Sequence, residues 1–249
     1  MSPTNTIKPI IEIKNLYKSF GNNHVLDGFN MHLNEGENLV VMGKSGSGKS
    51  VMIKCLIGLE EPDSGEIIIM DKNINELNHD ELDEIRTEVG FLFQGSALYD
   101  SMSVRENLEF PLRRHTKKFG KIEDTTPLVL EALESVGLAN TMSLMPNELS
   151  GGMKRRIALA RTLILKPKII LYDEPTTGLD PITSKEIILL MKSVQEKYKT
   201  SSIIITHDID CARVIANRMI LLIDGINYIE GTFEELASSN DPKIEAFFK

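Results

Sequence analysis

Short apolar runs, rich in isoleucine, leucine and valine, alternate along this chain with longer segments of helical periodicity. Several runs are apolar at nearly every position, which is typical of strands that helices cover on both faces. The pattern predicts strands at Ile10–Ile13, Leu39–Met42, Glu66–Met70, Gly90–Phe93, Ile169–Tyr172, Ile203–Thr206 and Met219–Ile223. It predicts helices at Lys49–Leu59, Pro181–Tyr198 and Ile209–Asn217. This alternation indicates an α/β core around a mostly parallel sheet.

The stretch from residue 95 to residue 165 has helical patterns without an obvious strand. Ser103 and Glu106 have the spacing of a capping box, which predicts the start of a helix. Further helices are predicted at Thr126–Val136 and Gly151–Leu165. We interpret residues 95–165 as a helical subdomain inserted into an α/β core that consists of residues 1–94 and 166–231.

Residues 232–249 are predicted to form a C-terminal helical tail. Thr232 and Glu235 repeat the capping-box spacing, and two aromatic residues, Phe247 and Phe248, lie near the end. The interpretation that we favour is a short helix folded back on its own domain. The alternative is a tail that reaches a second copy of the chain, since its terminal aromatic side chains need burial somewhere.

Length, charge and cysteine content narrow the class of protein. A chain of 249 residues suits one α/β domain with a small subdomain, and its formal net charge of −8 argues against binding to nucleic acid. The apolar runs are too short to span a bilayer, and the polar segment Met1–Pro9 lacks a secretory signal. Cys55 and Cys211 match no metal-binding spacing and are expected to be free thiols in a reducing cytosol. We expect a cytoplasmic protein whose membrane role comes through a partner.

A glycine-rich segment follows the predicted strand Leu39–Met42 and precedes a predicted helix. Its sequence fits G-x-x-x-x-G-K-[ST], a loop whose backbone N–H groups surround phosphate oxygens while the helix adds its positive end. Lys49 is predicted to contact the β- and γ-phosphates of ATP, and the Ser50 hydroxyl to bind Mg²⁺. The segment consists of Gly43, Lys44, Ser45, Gly46, Ser47, Gly48, Lys49 and Ser50, followed by Val51.

Two carboxylates end the apolar strand Ile169–Tyr172. At the end of a strand beside the phosphate-binding loop, both can face the nucleotide. Asp173 is suited to hold Mg²⁺, usually through water. Glu174 is suited to orient and polarise the attacking water. Alone the pair would be read as a solvated turn, but together with the phosphate-binding loop it predicts ATP hydrolysis.

The sequence Leu149–Met153, Leu-Ser-Gly-Gly-Met, precedes a basic helical stretch and lies about twenty residues before Asp173. Here the chain resembles an ABC-type ATPase, with Leu149–Met153 as its signature sequence. The resemblance implies a P-loop NTPase fold with an antiparallel β part. It also implies that Ser150, Gly151 and Gly152 contact the γ-phosphate of ATP held by another subunit. A serine hydroxyl and two glycines at a helix start suit the close approach of an anion.

The remaining motifs follow in the order that this family has, and the resemblance assigns their roles. Phe20 would stack on adenine, with Tyr17 as a competing candidate, and Gln94 would contact Mg²⁺ and water and link to the transporter. Asp180 would belong to a loop that crosses the dimer interface; it also has the features of a helix N-cap followed by proline. His207 would lie against the γ-phosphate.

The sequence departs from the family pattern at two positions. Val51 stands where many relatives have a second hydroxyl, so a side-chain contact to the phosphates is expected to be missing. Met153 stands where glutamine is commoner and cannot make the hydrogen bonds of an amide.

The resemblance implies that two cassettes form each complete site, head to tail, because the signature cannot reach the phosphate-binding loop of its own chain. One chain would supply Lys49, Ser50, Gln94, Asp173, Glu174 and His207, and the other Ser150 and Gly152. A homodimer with ATP and Mg²⁺ at two identical sites is expected. Binding and hydrolysis of ATP would close and open the dimer and so drive an integral membrane permease.

The segments Phe93–Met102, Asn107–Arg113 and Leu144–Met153 are similar to the ATPases of Mla/Mce-type lipid transporters. That resemblance implies phospholipid or other hydrophobic cargo, an Mce-domain partner protein, and a place on the cytoplasmic face of the inner membrane. Val51 and Met153 would then be traits of this branch. An ABC ATPase that signals mechanically across the membrane in cell division, and transports nothing, stays open as the alternative, because its cassette chemistry would be the same.

Overall fold

The computed structural model describes residues 8–115, 120 and 122–248. Its central sheet has the strand order β10-β9-β3-β8-β7-β6. Five neighbouring strands are parallel, and β10 pairs with β9 in the antiparallel direction at one edge. The strands are β3 (Asn38–Met42), β6 (Val89–Leu92), β7 (Ile169–Asp173), β8 (Ser201–Ile205), β9 (Arg218–Ile223) and β10 (Ile226–Gly231). The predicted α/β core with a mostly parallel sheet is confirmed.

A second sheet is wholly antiparallel and has the order β2-β1-β4-β5. Its strands are β1 (Pro9–Phe20), β2 (Asn23–Asn34), β4 (Ser64–Ile69) and β5 (Lys72–Asn73). The sequence pattern predicted only Ile10–Ile13 and Glu66–Met70 of this sheet. The prediction was too short because β1 and β2 are buried on one face only, so polar and apolar residues alternate along them.

The helices of the core are α1 (Lys49–Leu56), α2 (His79–Glu88), α6 (Pro181–Tyr198) and α7 (Ile209–Ile215). Helix α1 ends three residues before the predicted Leu59, because Gly58 has a φ of +65° and stops the helix. Helix α2 was not predicted, although Asn78 and Glu81 form a capping box at its start. Helix α7 ends two residues before the predicted Asn217.

Residues 95–165 contain α3 (Val104–Arg114), α4 (Thr126–Ser135) and α5 (Gly151–Leu163). The capping box predicted from Ser103 and Glu106 is present at the start of α3. The described residues of this segment include no strand, and residues 116–119 and 121 lie outside the description. The division of the chain into a core and an inserted subdomain remains a prediction.

The hydrophobic core lies on both faces of the central sheet. Alternate residues of β3 point to opposite faces: Val40 and Met42 belong to one cluster, and Leu39 and Val41 to the other. Burying each such side chain contributes about 1.5–3 kcal/mol to folding. Because β3 is packed on both faces, its carboxyl end has a fixed position, and so does the start of the phosphate-binding loop that follows it.

The tail forms α8 (Phe233–Ala237) and α9 (Pro242–Phe248), and the capping box of Thr232 and Glu235 is present. Phe247 and Phe248 pack against the core cluster that contains Val40, and the rings of Phe233 and Phe248 are 5.5 Å apart. In this structure the tail therefore folds back on its own domain. The part of the polar segment Met1–Pro9 that precedes Lys8 lies outside the described residues.

Within the described residues, the structure has no helix that combines the length and apolar composition needed to cross a bilayer. Cys55 and Cys211 are both free and buried, as expected from their spacing.

Candidate functional site

Four parts of the predicted site meet at one edge of the central sheet. The phosphate-binding loop follows β3, His207 follows β8, Glu174 follows β7 and Gln94 follows β6. These four strands are parallel neighbours, so their carboxyl ends lie on the same edge, where ligands of such sheets bind. The alternation of strands and helices thus brings together residues that are far apart in sequence.

Glycine is required for the shape of the phosphate-binding loop. A Cβ on Gly43 would lie 2.6 Å from the backbone oxygen of Leu222, closer than real contacts allow. Gly48, which caps α1, has a φ of +103°, a conformation that side chains strongly disfavour. Beyond it, the N–H groups of the first turn of α1 have no partner within the helix and remain open to an anion.

Lys49 is held inside this loop. It is 8% exposed, and its Nζ donates to the carbonyl oxygens of Gly43 at 2.7 Å and Lys44 at 3.0 Å. Burial lowers the pKa of Lys49, and the charges of Glu174 and Asp173 oppose that shift. The ammonium group thus lies within electrostatic range of the acidic pair, with two carbonyl oxygens as its partners in place of phosphate oxygens.

Asp173 is the last residue of β7, and Glu174 follows it directly. Burial raises the pKa of Asp173, the charge of Glu174 raises it further, and Lys49 lowers it only in part. The Oε2 of Glu174 lies 2.8 Å from His207 Nδ1 and accepts a hydrogen bond of 3.0 Å from the Thr177 hydroxyl. The Thr177 hydroxyl and His207 Nδ1 thus both contact the same carboxylate oxygen.

The backbone at Glu174 is strained. Its φ is +50°, and its N–H donates to the carbonyl oxygen of Ile205 at 2.9 Å. Non-glycine residues adopt this conformation at a cost and cluster at functional sites. Thr177, which sequence reasoning missed, is recognisable only from the structure, since its contact depends on the turn that this strain produces.

The signature sequence lies at the start of α5. Ser150 caps the helix, and its Oγ accepts a hydrogen bond from the N–H of Met153 at 3.2 Å. A Cβ on Gly151 would contact Leu179 at 3.8 Å, and one on Gly152 would lie 2.6 Å from Thr183 Cγ2. The first turn of α5 therefore packs against the start of α6 in the same chain.

Asp180 caps α6, as its sequence context predicted. Its Oδ1 accepts from the N–H groups of Ile182 at 3.1 Å and Thr183 at 3.0 Å, and its Oδ2 from the Thr183 hydroxyl at 2.6 Å. Hydrogen bonding lowers the pKa of this carboxyl group. The loop before α6 is thereby fixed at the same point where the signature glycines meet Thr183.

The remaining candidates are placed as follows. Phe20 is the last residue of β1 and is 47% exposed, and Lys18 Nζ lies 5.0 Å from the centre of its ring. Tyr17, the competing aromatic, is 41% exposed and lies beside Gly28. Gln94 is exposed in the loop after β6.

Both departures from the family pattern are explained by packing. The side chain of Val51 packs against the core cluster that contains Leu39, and that of Met153 against the cluster that contains Val40. Val51 can therefore offer a nucleotide only its backbone N–H.

Residues 26–177 match the ABC transporter family, which is more than half of the chain. This chain belongs to the ABC transporter family. It is an ATP-binding subunit that hydrolyses ATP and uses Mg²⁺ with it.

Relatives and solved structures agree with this assignment. The chain is 39% identical to the intermembrane phospholipid transport system ATP-binding protein MlaF of Haemophilus influenzae, over 96% of this chain and 90% of the relative. It is 40% identical to the probable ribonucleotide transport ATP-binding protein mkl of Mycobacterium leprae, over 95% of this chain and 68% of that protein. The dimeric post-hydrolysis structure of the ATP-binding cassette MJ0796 with ADP and Pi superposes with a TM-score of 0.79 at 36% identity, covering 90% of this chain and 98% of that one.

The close contact between α5 and α6 leads to a prediction about the free energy of unfolding. Gly152→Ala is expected to lower the free energy of unfolding by about 1–3 kcal/mol, because the new methyl group overlaps Thr183 Cγ2. Thr183→Ser removes that Cγ2 and keeps the hydroxyl that donates to Asp180. The double variant should regain the original stability in thermal unfolding, with Thr183→Ser alone as the control. If the double variant were no more stable than Gly152→Ala, the overlap with Thr183 would not be the cause.

Proposed function

We propose that this ABC ATPase powers the movement of phospholipid or another hydrophobic molecule through a separate permease, in a transporter of the Mla/Mce type. The observation that carries this proposal is the likeness to the intermembrane phospholipid transport relative, which extends over nearly the full length of both chains. The cassette chemistry is common to ABC systems with many cargoes. The cargo assignment therefore depends on that likeness and on the partners that the chain recruits.

Within the site, we assign Glu174 as the residue that polarises the attacking water, with His207 and Thr177 holding its carboxylate. Lys49 and the N–H groups of the phosphate-binding loop bind the β- and γ-phosphates, and Phe20 stacks on the adenine. The first turn of α5, with Ser150, Gly151 and Gly152, completes the site of a second copy, in which Asp180 lies at the contact between the two chains. The dimeric structure of a related cassette supports this arrangement.

The site fits Mg²⁺. Asp173 is partly buried, and burial and the charge of Glu174 raise its pKa while the charge of Lys49 opposes them. A hard divalent cation supplies the missing positive charge, and Asp173, Ser50 and Gln94 offer the oxygen ligands that it prefers. When bound, Mg²⁺ neutralises charge on the β- and γ-phosphate oxygens.

An exposed aromatic pair beside the Gln94 loop is suited to contact the permease. Tyr99 and Phe110 are 42% and 36% exposed, and their ring centres are 4.8 Å apart. Phe93, at the base of the same loop, is 42% exposed. Clustered aromatic rings on a surface are typical of protein contacts. A permease bound here would touch the loop that carries Gln94 and could sense its position.

The test is affinity purification of the tagged chain from detergent-solubilised membranes, followed by mass spectrometry of proteins and lipids. Recovery of a polytopic permease, an Mce-domain protein and enriched phospholipid would support the proposal. A permease-like partner with cell-wall enzymes and no lipid enrichment would favour mechanical signalling instead. Recovery of the chain without any membrane partner would contradict the transporter assignment.

Removing the aromatic pair is expected to lower permease recovery in the same experiment without lowering ATP turnover. Tyr99→Ala with Phe110→Ala is expected to lower permease recovery at least about ten-fold, because each ring offers a large contact area. ATP turnover of the isolated double variant should stay close to normal, since neither ring lies among the residues assigned to ATP. Undiminished recovery would contradict this docking surface, and the Val214→Ala variant, an exposed apolar change on α7, serves as the control.

A further inference from the structure

A buried arginine on α5 joins two loops of the site. Arg155 is 4% exposed. Its Nη1 donates to the carbonyl oxygen of Phe93 at 2.7 Å, and its Nη2 to that of Thr177 at 3.3 Å. Phe93 immediately precedes Gln94, and the hydroxyl of Thr177 donates to Glu174. One guanidinium therefore fixes the backbone beside both residues that are assigned to the attacking water.

Stability alone does not explain an arginine at this position. Burial lowers the pKa of Arg155, and no carboxylate of the described residues raises it again. The Nε is buried and has no hydrogen-bond partner in the part of the chain that the structure describes. A buried charge without an ionic partner costs free energy that an apolar side chain would avoid. The two carbonyl contacts are what the arginine adds.

A second arginine on α5 holds the far side of the same loop. Arg161 Nη1 donates to the carbonyl oxygen of Ala97 at 2.7 Å, and Nη2 to that of Ser96 at 3.2 Å. Ser96 and Ala97 have φ angles of +63° and +50°, which non-glycine residues adopt only when their surroundings impose them. Helix α5 therefore contacts the Gln94 loop on both sides, and Arg155 extends that contact to the loop of Thr177.

We propose that Arg155 is a positioning residue for ATP hydrolysis. From α5 it holds the loops that carry Gln94 and Glu174 in a fixed relative position. The proposal rests on the proposed function in that it takes Gln94 and Glu174 to be the residues around the attacking water. Helix α5 begins with the signature sequence, so a displacement of its first turn by a second copy's nucleotide would also move Arg155. The signature end and the hydrolytic site of one chain are thereby coupled through one rigid element.

The test is steady-state ATP turnover of the full chain with Arg155→Gln. Glutamine has a shorter side chain with one terminal nitrogen in place of Nη1 and Nη2, so it is not expected to reach the carbonyl oxygens of Phe93 and Thr177 together. The two loops then lose the contact that fixes their relative position. We expect kcat to fall about 10- to 10²-fold, the scale for misplacing reacting groups by about 1 Å. The KM for ATP and its equilibrium affinity should change less than about three-fold, because the loss is made in the transition state.

Two further variants separate positioning from mere stability. Arg155→Lys keeps the charge without the two-pronged geometry and should give an intermediate kcat. Arg156→Gln is the matched control on the same helix, since Arg156 bonds instead to the carbonyl oxygen of Val136 and to Glu186. Its kcat should stay within about two-fold of normal. If Arg155→Gln does not fold, the split between kcat and KM is measured on Arg155→Lys.

A double-variant cycle gives the deciding result. If Arg155 acts through Glu174, adding Arg155→Gln to Glu174→Gln should lower the residual turnover by less than about three-fold. Full additivity, or a fall in ATP affinity that matches the fall in kcat, would overturn the positioning role. Normal turnover of Arg155→Gln beside a strongly impaired Glu174→Gln would also overturn it. Normal turnover of Glu174→Gln would instead contradict the proposed function.

Discussion

Replacing Glu174 with glutamine is expected to slow ATP hydrolysis by about 10²–10⁴-fold while ATP still binds. The amide has nearly the shape of the carboxylate but cannot take a proton from the attacking water. His207 Nδ1 and the Thr177 hydroxyl, at 2.8 and 3.0 Å from Oε2, hold the group in position. The loss should therefore appear in the chemical step. Single-turnover hydrolysis and equilibrium binding of ATP, measured on the same preparation, check both parts of the prediction.

A matched control is available on α6. Glu186 pairs with Arg156 at 2.8 Å and is 54% exposed, so Glu186→Gln changes the same chemical group outside the site. Its turnover should stay near normal. If Glu174→Gln also turned over ATP at nearly the normal rate, Glu174 would not be the residue that polarises water. If it lost ATP binding as well, the carboxylate would be holding nucleotide rather than activating water.

The parallel part of the fold was predictable because its strands are buried on both faces. Continuous apolar runs such as Leu39–Met42 differ clearly from helical periodicity, and the predicted ends lie within two residues of those of β3, β6, β7, β8 and β9. The antiparallel sheet gave a weaker signal. In β2, His24, Asp27 and Asn30 interrupt the apolar positions, since only one face of the strand is covered.

The residues of the site likewise divide into those that the sequence predicts and those that only the structure reveals. Glu174 and His207 were predictable because each lies within two residues of the end of a buried strand, and parallel strands end at one edge. Lys49 was predictable because the glycine-rich loop that follows β3 leads directly to it. Thr177 and Arg155 were not predictable, because their roles depend on hydrogen bonds that close only in three dimensions. The contact of Gly152 with Thr183 was not predictable from the sequence for the same reason. A glycine in a signature suggests approach by a ligand, whereas here a side chain of the same subunit also requires it.

Lys49→Ala is expected to weaken ATP binding by about 10- to 10²-fold, since a charge-assisted hydrogen bond contributes about 1.5–3 kcal/mol. Turnover should fall further, by about 10²–10³-fold, because the ammonium group also stabilises charge that develops on the phosphates. In the structure its Nζ bonds the carbonyl oxygens of Gly43 and Lys44, so binding replaces contacts that already exist. Titration with a fluorescent ATP analogue measures the affinity, and phosphate release measures the turnover.

The effect of removing the Lys49 charge must be distinguished from damage that the shorter alanine side chain does to the phosphate-binding loop. Lys49→Met keeps the apolar stem that fills the buried space and removes only the charge, so it should unfold at nearly the original temperature yet bind ATP as weakly as Lys49→Ala. Lys192→Ala, an exposed change on α6, should alter neither quantity. Normal ATP affinity in Lys49→Met would contradict a phosphate contact from Lys49. A loss confined to Lys49→Ala would show that the stem, rather than the charge, supports the loop, and the assignment of Lys49 to the phosphates would then fail.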